Sequence, residues 1–208
     1  MTGERQAWER LYSKRGLQYG GSGELGLLTP LLKPGMLALD AGCGDGKTTE
    51  ILARSCEVVG CDFSREALRA LREQRDPEMK VNLVHCNLLH LPFEPEKFDA
   101  VVCVHALSHL RVKERESAAA GLARALRPGG HLFVEVFGRG DIRYGEGEEV
   151  ETASFLRGNG IMTHYFQEDE VSGLFPGLRT LASVGVVKRV TFGAIAGKRD
   201  TIRTLLRK

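Results

Sequence analysis

From residue 36 onward, short apolar runs alternate with amphipathic stretches. MLALD (36–40), EVVGCD (57–62), VNLVHC (81–86), FDAVVCV (98–104) and HLFVEVF (131–137) are nearly continuous in apolar character, the pattern of strands buried on both faces. Between them lie helical patterns: Lys47–Arg54, a segment that Ser64 can cap and that carries Leu68 and Leu71, and Glu114–Leu126, which Pro128-Gly129-Gly130 stops. Ahead of this region, Trp8, Leu11 and Tyr12 share one helical face, with Gly16 as a stop. The glycine-rich loop YGGSGELG and a short apolar helix, Leu25–Leu32, closed by Pro34-Gly35, come next. After residue 137 the stretch 138–163 is polar, glycine-rich and irregular, and a helix Glu168–Leu174 ends at Pro176-Gly177. Two last strands, Leu178–Val187 and Val190–Ala196, are separated by too few residues for a crossover helix and must pair antiparallel. Strand–helix alternation with right-handed crossovers predicts a doubly wound α/β domain: a mostly parallel sheet, helices on both faces, and an antiparallel C-terminal hairpin.

Composition narrows the function classes. The chain has 208 residues, with Lys+Arg 29 against Asp+Glu 27, a net charge of +2, which gives no general case for wrapping nucleic acid or lying on an acidic membrane. The apolar runs fall far short of the ~18 residues of a membrane span. MTGERQAWERL lacks the apolar core of a signal peptide, so a cytoplasmic protein is expected. Cys43, Cys56, Cys61, Cys86 and Cys103 are odd in number and form no C-x-x-C pair, so reduced thiols are expected rather than disulfides.

In such sheets ligands bind beyond the carboxyl ends of the strands. The first strand ends in Asp40-Ala41-Gly42-Cys43-Gly44-Asp45-Gly46, and the second in Asp62, twenty residues after Gly42. A dinucleotide fingerprint needs a third glycine where Lys47 stands, and a phosphate-binding P-loop needs a first glycine where Ala41 stands, although Gly46-Lys47-Thr48 fits its second half. A G-x-G-x-G turn with an acid closing the second strand fits without repair.

LALDAGCGDG resembles the first motif of the class I S-adenosylmethionine-dependent methyltransferases, and VVGCDFS their second. VHCNLLHLPF is similar to their adenine-contacting segment, FDAVVCVHALSHL to their fourth strand and following loop, and RALRPGGHLFVEV to their fifth strand; together these span about residues 30–137 in order. The resemblance implies a Rossmann-like methyltransferase fold of seven strands, with 36–208 as the catalytic domain, 1–35 as an N-terminal helical lid and 138–163 as a specificity insertion. It implies S-adenosyl-L-methionine as cofactor, with S-adenosyl-L-homocysteine as product. Gly42, Cys43 and Gly44 would offer backbone to the methionine portion, and Asp40 would order that loop and reach the amino group through water. Asp62 would accept from the ribose hydroxyls and Phe63 would pack on the adenine. Asn87, where the family more often has Asp, would accept from the adenine amino group, and the Leu88 N–H would meet a ring nitrogen. The carbonyl near Val104 or His105 would take the methionine ammonium, and Tyr12 and Tyr19 would lid the cofactor.

The chemistry implied is in-line displacement at a sulfonium methyl, in which the protein aligns the reactants and excludes water. His109 is the candidate general base, needed for a hydroxyl acceptor but not for an amine or thiolate. His105 and His109 with His85, Cys86 and His90 nearby are read as pocket-rim residues, not a metal site, so no metal is expected. Arg139, Arg143 and Arg157 are candidates for an anionic acceptor, and His164-Tyr165-Phe166 for core packing. GEGEEVE (145–151) is expected to be a solvated loop and KRDTIRTLLRK a basic terminal helix. The acceptor expected is a small molecule, with oxygen, nitrogen or sulfur methylated; a nucleic acid ranks second, and no membrane partner is expected. The alternatives are a tRNA or rRNA base methyltransferase, a non-catalytic cofactor-binding module, and an ATP-binding protein built on Gly46-Lys47-Thr48.

Overall fold

The computed structural model describes residues 2–15, 24–192 and 195–208. In chain order the elements are α1 (Thr2–Arg15), β1 (Leu37–Ala41), α2 (Lys47–Ala53), β2 (Glu57–Asp62), α3 (Arg65–Gln74), β3 (Val81–His85), β4 (Phe98–Val104), α4 (Val112–Ala125) and β5 (Leu126–Phe137). There follow β6 (Glu148–Glu151), β7 (Ser154–Leu156), β8 (Met162–His164), α5 (Glu170–Gly173), β9 (Arg179–Phe192) and β10 (Ile195–Arg207). The main sheet has seven strands in the order β3-β2-β1-β4-β5-β10-β9, parallel from β1 to β5, with β10 antiparallel to both of its neighbours. The strand order reverses between β1 and β4, so a crevice opens beyond their carboxyl ends. Register places Asp40 beside Gly60 and Asp62 beside His85, which brings the ends of β1, β2 and β3 level with one another.

Both faces of the sheet are covered, as the apolar runs require. Leu39, Val101, Leu132 and Val134 pack on one side with Ala118, Ala119 and Leu122 of α4. Ala38, Val58, Ala100, Val102 and Phe133 pack on the other with Leu25, Leu28 and Leu52. Ser64 caps α3 by accepting from the Ala67 N–H at 3.1 Å, as its position before the apolar repeat predicted. His164, Tyr165 and Phe166 are all buried, in keeping with a packing role.

Five expectations are corrected. The basic terminal segment is strand β10, not a helix, and the paired strands run to Phe192 and from Ile195, longer than the expected 178–187 and 190–196. Strand β10 lies inside the sheet and buries both faces: Ile202 and Leu206 join one core and Leu205 the other. Ile202 and Leu206 are four apart, a spacing that one face of a helix and one face of a strand share, so periodicity could not separate them. The irregular stretch 138–163 holds a three-stranded antiparallel sheet, β6-β7-β8, whose strands of three or four residues are too short to display a period. Its acidic run is ordered: Glu151 accepts from the Val112 N–H at 3.1 Å and lies 3.9 Å from both Arg111 and Arg115. The helix expected over 168–174 shrinks to α5.

Because β10 is hydrogen-bonded on both edges, deleting residues 195–208 would expose β5 and β9 together. Such a truncation is predicted to abolish cooperative thermal unfolding monitored by circular dichroism. A truncated protein that melts like the intact chain would show that β10 is dispensable.

Candidate active site

A cavity of about 1120 Å³ occupies the crevice at the strand ends. Gly42, Cys43 and Gly44, which follow β1, form one wall. Gly42 and Gly44 have φ of +77° and +54°, and their backbones are closely approached. A Cβ on Gly42 would stand 2.5 Å from the Ala106 Cβ, and one on Gly44 would stand 2.6 Å from the Tyr12 hydroxyl oxygen. The N–H groups of Gly42 and Cys43 donate to the Cys61 carbonyl at 2.8 and 3.0 Å, locking the turn against β2.

Asp62 ends β2 with its carboxylate inside the site. Oδ2 accepts from the Gly44 N–H at 3.0 Å and Oδ1 from the Ser64 N–H at 2.8 Å, and each oxygen keeps a second lone pair. Burial pushes its acid up to about 6, against the lowering effect of those two N–H donors. Asp40 differs in position. It accepts from the Thr49 hydroxyl at 2.6 Å, which ties β1 to α2, and it is not among the residues lining the cavity. Burial raises its acid to about 7. Its carboxylate holds α2 against β1 from outside the cavity.

Helix α1 closes the near side. Glu9 accepts from the Ser64 hydroxyl at 2.8 Å and from the N–H groups of Arg65 and Glu66 at 3.1 and 3.2 Å, so it serves as a second cap for α3. Trp8 and Tyr12 reach over the cavity from that clasped helix, with their rings 6.0 Å apart. Tyr19 lies outside the described residues. Phe63, Cys86, Asn87 and Leu88 line the far end. Asn87 Oδ1 accepts from the Leu89 N–H at 3.0 Å, which leaves the amide NH₂ as the group with donors to offer. The side chain is thus set to donate to a ring nitrogen more readily than to accept from an amino group.

The loop after β4 supplies the histidines. His105 has φ +60°, a strained conformation for a residue with a Cβ, and its N–H donates to the Glu135 carbonyl at 2.7 Å. Its carbonyl accepts from the Ser108 N–H at 3.0 Å. Its ring stacks on Phe137 at 4.1 Å and 6°, and its buried Nδ1 has no hydrogen-bond partner among the described residues. Burial holds its conjugate acid well below the ordinary imidazole range. His109 Nδ1 lies 2.8 Å from the Met162 carbonyl, which can only accept, so Nδ1 carries the proton and Nε2 is left as an acceptor. Burial pushes its conjugate acid down to about 4, which leaves a neutral, weakly basic ring edge-on to Trp8 at 4.8 Å.

Arginines frame the opposite side. The guanidinium groups of Arg143 and Arg199 lie 5.1 and 5.0 Å from the centre of the Phe137 ring, and both pair with the buried Asp141 at 3.4 and 3.2 Å. Arg157 lines the same cavity, whereas Arg139 does not. Glu135, Arg203, Glu24 and Lys188 continue the wall as a chain of ion pairs at 3.0, 2.9 and 2.5 Å. Sequence reasoning missed Trp8, Glu9, Glu135 and Arg199 as site residues. Only Glu135, a carboxylate inside an apolar strand, carried a local signal. Among the described residues no group of three or more His, Cys, Asp or Glu is arranged to hold a metal, and no helix is long and apolar enough to cross a membrane.

These features suit an adenosyl cofactor. Gly42 and Gly44 turn the backbone along the cavity wall at positive φ, the buried Asp62 keeps lone pairs for two hydroxyls, and the cavity exceeds the ~300–1,000 Å³ of an ordinary ligand pocket. Residues 39–134 match the family described as a methyltransferase domain. A methyltransferase structure from Methanosarcina mazei, described as dependent on S-adenosylmethionine, superposes with a TM-score of 0.76 at 24% identity, covering 89% of this chain and 98% of that one. Residues 39–134 thus carry a methyltransferase domain, set in the same fold as the Methanosarcina mazei structure.

Among curated relatives, the tRNA N(3)-methylcytidine methyltransferase Mettl2 of Drosophila melanogaster is 35% identical over 148 residues, covering 65% of this chain and 46% of that protein. The human protein called probable tRNA methyltransferase 9B is 37% identical over 106 residues, covering 50% of this chain and 22% of that protein. The chain thus spans less than half the length of either. Both carry tRNA in their names, which overturns the ranking of a small-molecule acceptor ahead of a nucleic acid.

The pH dependence of cofactor binding follows from Asp62. Ribose hydroxyls are donors and need the ionised carboxylate, which is complete only above its acid constant of about 6. Affinity for S-adenosylhomocysteine, followed by calorimetry, is therefore predicted to be full above neutrality and to fall by up to ~tenfold per pH unit below about 6. Asp62→Asn is predicted to weaken binding by ~1.5–3 kcal/mol at neutral pH and to remove this dependence. A variant with unchanged affinity and an unchanged profile would place the ribose elsewhere.

Proposed function

We propose that this protein transfers the methyl group of S-adenosylmethionine to a ring nitrogen of a tRNA base. When bound, the cofactor supplies an electrophilic sulfonium methyl. The chain's own residues hold, orient and dehydrate the reactants. Gly42 and Gly44 give the close backbone approach, Asp62 fixes the ribose, and Phe63, Asn87 and Leu88 enclose the adenine. Trp8 and Tyr12, on the helix clasped by Glu9, cover the cleft and exclude water.

The observation that carries the acceptor reading is the wall of flat rings beside the glycine loop. His105 stacks on Phe137, and His109 stands edge-on to both Phe137 and Trp8. A base taken out of its stack finds there aromatic faces and two neutral imidazoles, while Arg143, Arg157 and Arg199 offer guanidinium planes and positive charge to its nucleotide. Neither histidine is basic enough to take a proton efficiently near neutrality, so an acceptor that needs none removed fits best. A pyrimidine ring nitrogen with its own in-plane lone pair is such an acceptor. His109 accordingly acts through Nε2 as a hydrogen-bond acceptor for an exocyclic amino group and not as a general base. The names of the two tRNA-methylating relatives support the same acceptor class.

The test is transfer of labelled methyl to a total tRNA pool, followed by digestion and mass spectrometry of the nucleosides. The predicted result is one methylated nucleoside, with N3 of cytidine the first position to examine. Arg143→Gln is predicted to lower kcat/KM for tRNA about 10- to 100-fold while leaving S-adenosylhomocysteine affinity unchanged. A protein that binds S-adenosylhomocysteine yet labels small molecules and no tRNA would overturn the acceptor and leave the cofactor site intact.

A further inference from the structure

The β9–β10 hairpin is longer than the sheet that carries it. Strand β5 pairs with β10 only over Thr201–Arg207, whereas β9 and β10 continue to pair out to Phe192 and Ile195. Past β5 the ribbon of residues 187–192 and 195–200 is flanked by the 138–142 segment, whose Gly138 and Ile142 N–H groups donate to the Asp200 and Lys198 carbonyls at 2.9 and 2.8 Å, and it stands beside the mouth of the cavity that Lys188, Val190, Thr191 and Arg199 line.

Its charge is unlike that of the rest of the chain. Residues 188–199 hold Lys188, Arg189, Lys198 and Arg199 and no acid, in a protein whose total balance is 29 cations against 27 anions. Register sets Lys188 opposite Arg199 and Arg189 opposite Lys198. Like charges facing each other across a ladder cost stability, so folding alone gives no reason to place them there. Alternation along the strands puts one pair on each face. The cavity-side pair is engaged, Lys188 with Glu24 and Arg199 with Asp141. The outer pair, Arg189 and Lys198, is exposed, and no ion pair holds either one among the described residues. Asp200, the next acid along β10, is turned to the Gly140 N–H at 2.8 Å.

We propose that this ribbon, through Arg189 and Lys198, binds the phosphate backbone of the tRNA whose base enters the adjacent cavity. The proposal rests on the tRNA acceptor argued above. A two-stranded ribbon with paired cations on its outer face presents fixed positive charge to a polyanion without reading sequence, which is a backbone-positioning contact. Continuity with Arg199 on the inner face links it to the guanidinium groups that frame the base site. A protein of near-neutral charge thus concentrates its attraction where substrate is presented.

The test uses the full chain carrying Arg189→Gln and Lys198→Gln, with tRNA methylation measured across a salt series. The expected result is a rise in KM of about tenfold with kcat little changed, and a log affinity versus log salt slope shallower by about 1 per contact removed. Affinity for S-adenosylhomocysteine should match the parent protein. Arg69→Gln with Arg72→Gln on α3, the same change of charge at the far side of the sheet, should leave KM and slope unaltered. Lys198→Gln alone, at an exposed position, should show the same effect at smaller size if the double variant proves unstable. Parent-like KM and salt slope in these variants, with the parent active on tRNA, would overturn the ribbon's role and leave the acceptor reading standing. A parent protein that binds S-adenosylhomocysteine but neither binds nor methylates tRNA would overturn both.

Discussion

The Asp62 carboxylate ties the turn from β2 into α3 to the glycine loop that follows β1, eighteen residues earlier in the chain. It leaves the end of β2, takes the Gly44 N–H from the loop after β1, and takes the Ser64 N–H from the start of α3. Burial makes its charge costly, visible in an acid constant raised to about 6, and the two N–H groups only partly offset that cost. The carboxylate therefore has lone pairs left for further donors, which the proposed function assigns to ribose hydroxyls. Ser64 extends the arrangement: its hydroxyl oxygen caps α3 while its proton goes to Glu9. Helix α1 is thus bound to the same point, and with it Trp8 and Tyr12 over the cleft.

Around this centre the fold divides the labour by strand. Under the proposed function, the ends of β1, β2 and β3 serve the cofactor, and the ends of β4 and β5 with the small β6–β8 sheet serve the acceptor. His109 spans the division, since its Nδ1–H is fixed by Met162 of β8 while its ring meets Trp8 of α1. The small sheet is anchored in turn by a buried chain in which the Ser154 hydroxyl, His164 and Glu170 follow one another at 2.8 and 2.6 Å. The Ser154 hydroxyl is enclosed, so this chain holds β7 and β8 against α5 and is not a nucleophilic site.

How much could be read from residues alone follows from the length and exposure of each element. Strands β2 and β4 were legible to the residue because each is a five-to-seven-residue apolar run closed by a polar stop, and Asp62 was legible because it closes one of them. Strand β10 was not, because burial on two faces erases alternation and its i, i+4 pair mimics a helix. Asp40 and Asp62 look alike in sequence, each the acid that closes a short apolar run. Only the fold shows that one faces Thr49 below the loop and the other the cavity. Trp8, Glu9 and Arg199 meet their partners across long stretches of chain, so no local pattern marks them, and the charge on which the proposed acceptor rests is confined to a ribbon and a few arginines that the net charge of +2 does not reveal.

The central claim is that the cleft formed by Gly42, Gly44 and Asp62 is an S-adenosylmethionine site. Calorimetric titration with S-adenosylhomocysteine, NAD and ATP in parallel tests it most directly. The account predicts saturable micromolar binding of S-adenosylhomocysteine and no heat of binding from NAD or ATP. Saturable binding of ATP with none of S-adenosylhomocysteine would contradict it, returning the Gly42–Thr48 loop to a phosphate-binding role and removing the methyl-transfer chemistry with it.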